Sequence, residues 1–371
     1  MSTGRPLRVA LLGSRGIPAA YGGYETLMEE LAARLPAHGF RVTVYCRTHY
    51  TPPGLREHRG AELIVLPTLR TKHLDTPVHT LLSVIDAGRR GFDVALLVNS
   101  ANAIFAPLLR AAGVPVALNV DGIERRRAKW GALGRAVYAA SERLAPMVCD
   151  ALITDAEAIR LHYLARHGVD STVIPYGVEP HRLAPGETLR RLGLRPGRYV
   201  LYVSRFEPEN NPHRVAEAYR RLHGDVPLVM VGGAPYAGRF IRSFTTGADP
   251  RVRFPGPIYG TGYRELLSNA AVYVHATEVG GTHPALVEAM GYGNCVVVHD
   301  TPENREVAGD AALFFDATLP ATLVAALERL LSEPHLRQKL RRAAARRAAE
   351  SYSWSRVAAL YAGVLRRLAG G

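Results

Sequence analysis

The chain has 371 residues, 47% of them hydrophobic, and carries a formal net charge of +13. That length accommodates two cores rather than one, and the scattered Cys46, Cys149 and Cys295 exclude a disulfide framework or a cysteine-based zinc site. No apolar run approaches a membrane span and the stretch before Gly13 is too short for a secretory signal, so a cytoplasmic protein is expected.

Short apolar runs at 7–12, 41–46, 63–66, 94–98, 114–120 and 151–154 alternate with helical patterns, which marks βαβ units. The first run leads into Gly13-Ser14-Arg15-Gly16-Ile17-Pro18-Ala19-Ala20-Tyr21-Gly22-Gly23, and an amphipathic helix starts near Tyr24 and runs through Leu35. Gly22 and Gly23 let the backbone approach a phosphate or a sugar at a helix N-terminus, and they equally suit a tight turn. Their spacing matches neither GxGxxG nor the Walker pattern. Lys72, His73 and Asp75 lack metal-ligand spacing, so no bound metal is expected. His79 reads as an acceptor-site residue or as a packing histidine. After the run at 114–120, Asp121 and Glu124 place two carboxylates at the carboxyl end of a buried strand, beside Arg125, Arg126, Arg127 and Lys129. They suit an acceptor hydroxyl; a turn cap and an arginine pair are the alternatives.

Past Ile174-Pro175-Tyr176-Gly177-Val178 the alternation restarts, with runs at 199–204, 226–231, 252–254, 272–275 and 295–298. The expected architecture is α/β: two doubly wound parallel-sheet domains joined near residues 175–195, with ligands beyond the carboxyl ends of the strands. Arg205 follows the first strand of the second series, where a guanidinium can bind two phosphate oxygens and neutralise a departing diphosphate. A surface pair with Glu207 or Glu209 is the alternative. The run at 272–275 passes through Gly280, Gly281 and Thr282 into a helix with Pro284 in its first turn. Thr282 reads as its N-cap, and free N–H groups there attract phosphate. Glu288, further along, has the reach to accept from two adjacent ribose hydroxyls. The last segment, 353–368, is a helix with Trp354, Val357, Leu360, Tyr361, Val364 and Leu365 on one face. Arginine clusters at 125–127, 341–342, 346–347 and 366–367 suit an anionic lipid, a nucleic acid or nucleotide phosphates, or only a solvated basic surface.

Taken together, Gly13 to Pro18 with Tyr21 to Glu25, Asn119-Val120-Asp121-Gly122, Arg205 with Pro208-Glu209-Asn210-Asn211, and Gly280 to Gly293 resemble the family 4 glycosyltransferases of the GT-B fold. Within that family they resemble the branch of bacterial rhamnosyltransferases of surface-polysaccharide assembly. The resemblance covers nearly the whole chain. It implies two Rossmann-like domains facing a cleft: residues 1–180 binding the acceptor and residues 190–352 binding a nucleotide sugar, with residues 353–371 crossing back to the first domain. It also implies retaining, metal-independent transfer without a cofactor. The donor is a nucleotide-diphosphate sugar, best read as dTDP-rhamnose, and the acceptor a saccharide or lipid-linked saccharide, reached from the cytoplasm or at an anionic inner membrane face. By position, Glu288 binds ribose, Gly281 and Thr282 meet the sugar or diphosphate, Arg205 and Asn210 meet the diphosphate, and Gly22 and Gly23 close over it. Tyr24, His79, Asp121, Glu124 and Arg126 fall to the acceptor, with Asp121 joining Arg205 in the chemistry.

Two departures stand out. The family's usual pair of glutamates eight residues apart would put the first at Gly280, and a lysine that often accompanies the arginine is replaced by Asn210. Competing readings are a UDP- or GDP-sugar enzyme of the same fold, a nucleotide-sugar epimerase, and a non-catalytic nucleic-acid binder. The last lacks the aromatic-basic interleaving of single-strand binders, so no nucleic acid is expected.

Overall fold

The computed structural model describes residues 5–19, 22–71, 74–126, 131–234 and 237–370, the side chain of Arg126 excepted. The described residues divide into two compact units: those within 5–125, 131–176 and 354–370 form the first, and those within 177–353 form the second.

The first unit is built on an eight-stranded sheet. Its strands are β1 Leu7–Leu12, β2 Phe40–Arg47, β3 Glu57–His58, β4 Ala61–Leu66, β5 Val94–Val98, β6 Val116–Val120, β7 Ala151–Thr154 and β8 Thr172–Val173. The order is β3-β4-β2-β1-β5-β6-β7-β8, parallel except for β3 against β4. Every residue of β5 and β6 is buried, as a parallel strand covered on both faces requires. Successive side chains alternate between faces. Val9, Leu11, Val42 and Leu96 pack against Leu27, Met28 and Leu31 of the helix Gly23–Arg34 and against Trp354, Val357, Tyr361 and Leu365 of the terminal helix Trp354–Ala369. On the other face Ala10, Leu12, Leu97 and Leu118 meet Val84, Leu109, Ala145 and Tyr163. Strand order reverses between β1 and β5, so the loops leaving those strands diverge and open a crevice at the carboxyl edge.

The second unit has a six-stranded sheet of β9 Val200–Val203, β10 Leu228–Val231, β11 Val252–Gly256, β12 Val272–His275, β13 Cys295–His299 and β14 Ala312–Phe315. Its order, β11-β10-β9-β12-β13-β14, is the doubly wound arrangement with its switch between β9 and β12. Three strands lie outside the runs read from the sequence. β3 and β8 have two residues each, too few to display a period, and β14 is buried only at its two ends, so it lacks the continuous buried run of the other four-residue strands.

Part of the arginine excess is internal bracing. Arg341 Nε donates to the Gly293 carbonyl at 2.7 Å, and Arg347 donates to the Val307 and Glu306 carbonyls, each at 2.7 Å. These carbonyls lie in or just past the ends of the helices Pro284–Gly291 and Pro302–Ala308, where cations are favourable. Arg366 likewise donates to the His38 carbonyl at 2.7 Å.

Candidate active site

In the second unit the loops leaving β9 and β12 flank the switch, and buried asparagines hold them. Asn211, 2% exposed and left-handed at φ 55°, donates to the Ala276 carbonyl and to Glu278 Oε1, both at 2.9 Å. Asn304, fully buried, donates to the Thr277 carbonyl at 2.9 Å and the His299 carbonyl at 3.0 Å. The Glu278 N–H donates to the Glu209 carbonyl at 2.9 Å. Residues 276, 277 and 278 are therefore each pinned before the chain reaches Gly280.

Arg205 extends from this frame with its side chain 43% exposed, its Nη2 3.6 Å from Glu207 Oε2. So open a pair contributes little, and it leaves the guanidinium able to turn to an incoming diphosphate. Asn210 behaves differently from its neighbour. Its Nδ2 donates to the Arg205 carbonyl at 2.7 Å, its own carbonyl accepts from Tyr202 Oη at 2.7 Å, and it is 4% exposed. Here Asn210 braces the loop that presents Arg205.

The helix Pro284–Gly291 is capped by His283 at φ −83°, ψ 113°, one residue later than the sequence indicates. Proline forces the residue before it into an extended conformation, so the cap falls on His283 and Thr282 lies ahead of it. Glu288 sits one turn into this helix. Its Oε2 accepts from Tyr263 Oη at 2.6 Å, a phenol contributed by the helix Gly260–Asn269. Burial, then the Glu288 charge, raises the Tyr263 pKa well above the usual phenol value; the hydroxyl stays protonated and fixes the carboxylate rotamer. A Cβ on Gly280 would lie 2.4 Å from His283 Cε1, so the imidazole occupies the space beside that glycine. The His283 ring also lies 4.9 Å from that of His275, whose own pKa burial pushes well down.

In the first unit the loop leaving β1 depends on glycine. Gly16 has φ +106°, and a Cβ there would lie 2.6 Å from Cys46 Sγ. Carboxylates of the following helix hold the loop: Glu25 Oε1 accepts from the Arg15 N–H at 3.0 Å and Glu29 Oε2 from the Ala19 N–H at 2.7 Å. Gly22 caps that helix in an extended conformation and Gly23 is its first residue. The Tyr24 phenol is buried among acids: burial first, then Asp121 and Glu124, raise its pKa. Tyr176 is raised in the same way by burial, Asp121 and Asp155. Tyr24, Asp121 and Glu124 are thus brought together.

His79 is not with them. It is 0% exposed within the helix Asp75–Arg90, and both ring nitrogens are buried without a hydrogen-bond partner among the described residues. Burial, then the nearby Arg47 charge, brings its pKa down to about 4. The side chain faces the core from an amphipathic helix, the packing position that the sequence left open beside the acceptor one.

Arg125 is committed to a separate network. Its Nε donates to Glu142 Oε2 at 2.9 Å, while Glu142 Oε1 meets His162 Nε2 at 2.5 Å and His167 Nε2 at 3.3 Å. Among the described residues this is the one set of three potential metal ligands with atoms within 4.8 Å of one another. Arg125 and Arg166, whose Nε lies 3.9 Å from the same carboxylate, supply positive charge there already. The group reads as a satisfied buried network. Lys72, His73, Tyr21, Arg127, Lys129 and the side chain of Arg126 lie outside the described residues.

Sequence reasoning passed over Tyr263 and Asn304, and it named Asn211 within the Arg205 motif without a role of its own. Each acts on a partner 25 or more positions away, and neither spacing nor composition signals such a pairing.

Comparison with known proteins agrees with this architecture. Residues 22–177 match the model of the glycosyl transferase 4-like domain, and residues 190–347 that of the glycosyl transferases group 1. Alpha-maltose-1-phosphate synthase of Mycolicibacterium smegmatis is 26% identical over 280 residues, covering 66% of this chain and 71% of the relative. D-inositol 3-phosphate glycosyltransferase of Frankia alni is 30% identical over 215 residues, 52% of this chain and 51% of the relative. Among solved structures, sucrose-phosphate synthase of Thermosynechococcus elongatus superposes with a TM-score of 0.82 at 18% identity, covering 98% of this chain and 99% of that one. HepE of Anabaena in complex with UDP and glucose superposes with a TM-score of 0.79 at 16% identity, covering 97% and 100%. With both sheets matching neighbours of known GT-B architecture and family models spanning each half, the chain belongs to the family 4 glycosyltransferases.

Proposed function

We propose that the protein transfers a sugar, rhamnose from dTDP-rhamnose as the leading assignment, to a hydroxyl of a saccharide or lipid-linked saccharide, with retention and without a metal. One observation carries the donor half of this reading. Arg205, the chain around Gly281 and Thr282, and the Tyr263-fixed Glu288 all belong to elements at the carboxyl edge of the second sheet, beside the β9/β12 switch. Glu288 takes the ribose hydroxyls, the amides near Gly281 and Thr282 take the sugar or diphosphate, and Arg205 takes the diphosphate. Gly22 and Gly23 contribute backbone N–H groups. In the first unit the Tyr24, Asp121 and Glu124 group receives the acceptor.

In the step itself the acceptor oxygen bonds to the anomeric carbon as the bond to the diphosphate oxygen breaks. The electron pair stays on that oxygen, which also takes the acceptor proton. Arg205 stabilises the charge that develops there, and Asp121 orients the hydroxyl. No protein nucleophile is required.

The rhamnose assignment rests on the first glycine loop and the Gly280 to Pro284 segment. A UDP-sugar donor is the second reading, favoured by the UDP and UDP-glucose bound in HepE. The site of action is proposed to be cytoplasmic, with an anionic membrane face resting on the basic segment around Arg126. Among the described residues no helix is long and apolar enough to cross a membrane.

Mass spectrometry of the purified protein incubated with dTDP-rhamnose, UDP-glucose or GDP-mannose and saccharide acceptors tests this reading. The expected product is a rhamnosylated acceptor formed with dTDP. Donor consumed equally fast without acceptor identifies an epimerase or hydrolase instead.

A further inference from the structure

Family 4 enzymes usually present a carboxylate at the position of Gly280, and in this chain that place is closed. A side chain there would begin 2.4 Å from the His283 imidazole, which occupies the space. Sugar hydroxyls still demand acceptors, because a hydroxyl buried without a partner is costly. Two carboxylates nearby have the required properties.

Glu278, two residues before Gly280, is held by its side chain and its backbone alike. Its Oε1 accepts from Asn211 Nδ2 at 2.9 Å, and its N–H donates to the Glu209 carbonyl at 2.9 Å. His299 Nε2 lies 3.9 Å from the same Oε1, while His299 Nδ1 lies 3.2 Å from both the Ala317 N–H and the Phe315 carbonyl oxygen. Both neighbours therefore address Oε1. The side chain is 37% exposed, and no described residue bonds Oε2.

Glu209 is the second. It is 5% exposed, and both its carboxylate oxygens are buried without a hydrogen-bond partner among the described residues. Buried carboxylates are otherwise paired or hydrogen-bonded, so this one calls for a partner. It lies in the loop that carries Arg205, joined through its carbonyl to Glu278.

Resting on the proposed function, we infer that Glu278 and Glu209 together replace the missing carboxylate and accept hydrogen bonds from hydroxyls of the donor sugar. Glu288 and Arg205 hold the nucleoside diphosphate; Glu278 and Glu209 distinguish the sugar attached to it. The occupant of this subsite is a hydroxyl-bearing pyranose linked to a diphosphate.

Calorimetric titration of the full chain with dTDP, UDP and GDP, and with dTDP-rhamnose, UDP-glucose and GDP-mannose, separates the two parts. Glu278→Gln and Glu209→Gln, both nearly isosteric, should each weaken the nucleotide sugar about ten-fold or more. The matching nucleoside diphosphate should bind each variant within about two-fold of wild type. Equal losses for sugar nucleotide and diphosphate would mean that the carboxylates only shape the loop, and wild-type affinity for both ligands would remove them from sugar recognition; either result overturns the inference alone. Absence of binding by every nucleoside diphosphate overturns the proposed function and this subsite with it.

Discussion

Each unit carries a glycine-bearing loop where its sheet reverses direction, and the two loops are held by opposite means. In the first unit, carboxylates do the holding: Glu25 and Glu29 accept from the loop's own Arg15 and Ala19 N–H groups, around a Gly16 pressed against Cys46. In the second, amides do it: Asn210, Asn211 and Asn304 donate to the Arg205, Ala276 and Thr277 carbonyls. The first arrangement uses its charge internally and presents backbone. The second satisfies its backbone with neutral groups, commits only Glu278 Oε1 to the frame, and leaves Arg205, Glu209 and Glu278 Oε2 to the proposed donor. The donor wall proposed above needs charge that the frame does not consume, and asparagine bracing spares it.

The comparison breaks most visibly at Gly16. Gly16→Ala combines a left-handed φ with a Cβ overlapping Cys46, and should destabilise the protein by about 2–5 kcal/mol. Urea unfolding reads this directly, and an unchanged midpoint would show that the loop is not glycine-dependent. Arg205→Ala, in contrast, should leave stability nearly untouched while lowering kcat about 10²- to 10³-fold, as for loss of one preorganised donor. Steady-state kinetics with an identified donor would show it, and unchanged turnover would remove Arg205 from the chemistry.

His79 distinguishes the core of the first unit from its site. Its pKa is about 4 when folded against an ordinary 6.5, so the unfolded chain binds more protons between those values. Its contribution is fully present above about pH 6.5 and is lost as the pH falls toward 4, to a total of about 3 kcal/mol. His79→Leu should flatten that part of the stability curve, although His275, shifted in the same direction, retains a slope of the same sign. Equal pH dependence in both proteins would mean that His79 is already protonated or solvated. The smallest effect is expected from Tyr263→Phe, which frees the Glu288 rotamer and should weaken nucleoside diphosphate binding by about 1 kcal/mol in calorimetry. No change would show that Glu288 is oriented by something else.

The strands were legible wherever a buried run spans a whole strand: Leu7–Leu12, Val94–Val98, Ala151–Thr154 and Val272–His275 coincide with β1, β5, β7 and β12. Burial on both faces writes itself into composition. The terminal helix was legible as well, since the face bearing Trp354, Val357, Tyr361 and Leu365 is the one buried in the first unit. What could not be read was the origin of each side chain's partner. Asn210 follows Arg205 as a phosphate ligand would, yet its amide turns back to the Arg205 carbonyl. His79 sits in a polar-looking stretch, yet helix phase carries it inward. The role of Gly280 emerges only from the position of His283, because a glycine in sequence does not reveal what fills the space beside it.

The central claim is that a nucleoside diphosphate binds the second unit through Glu288 and Arg205. Titration of the wild-type chain with dTDP, UDP and GDP, repeated on Glu288→Ala and Arg205→Ala, addresses it most directly. One diphosphate should bind the wild type and bind each variant about ten-fold or more weakly. Wild-type affinity retained in both variants, or no binding by any of the three, would contradict the account.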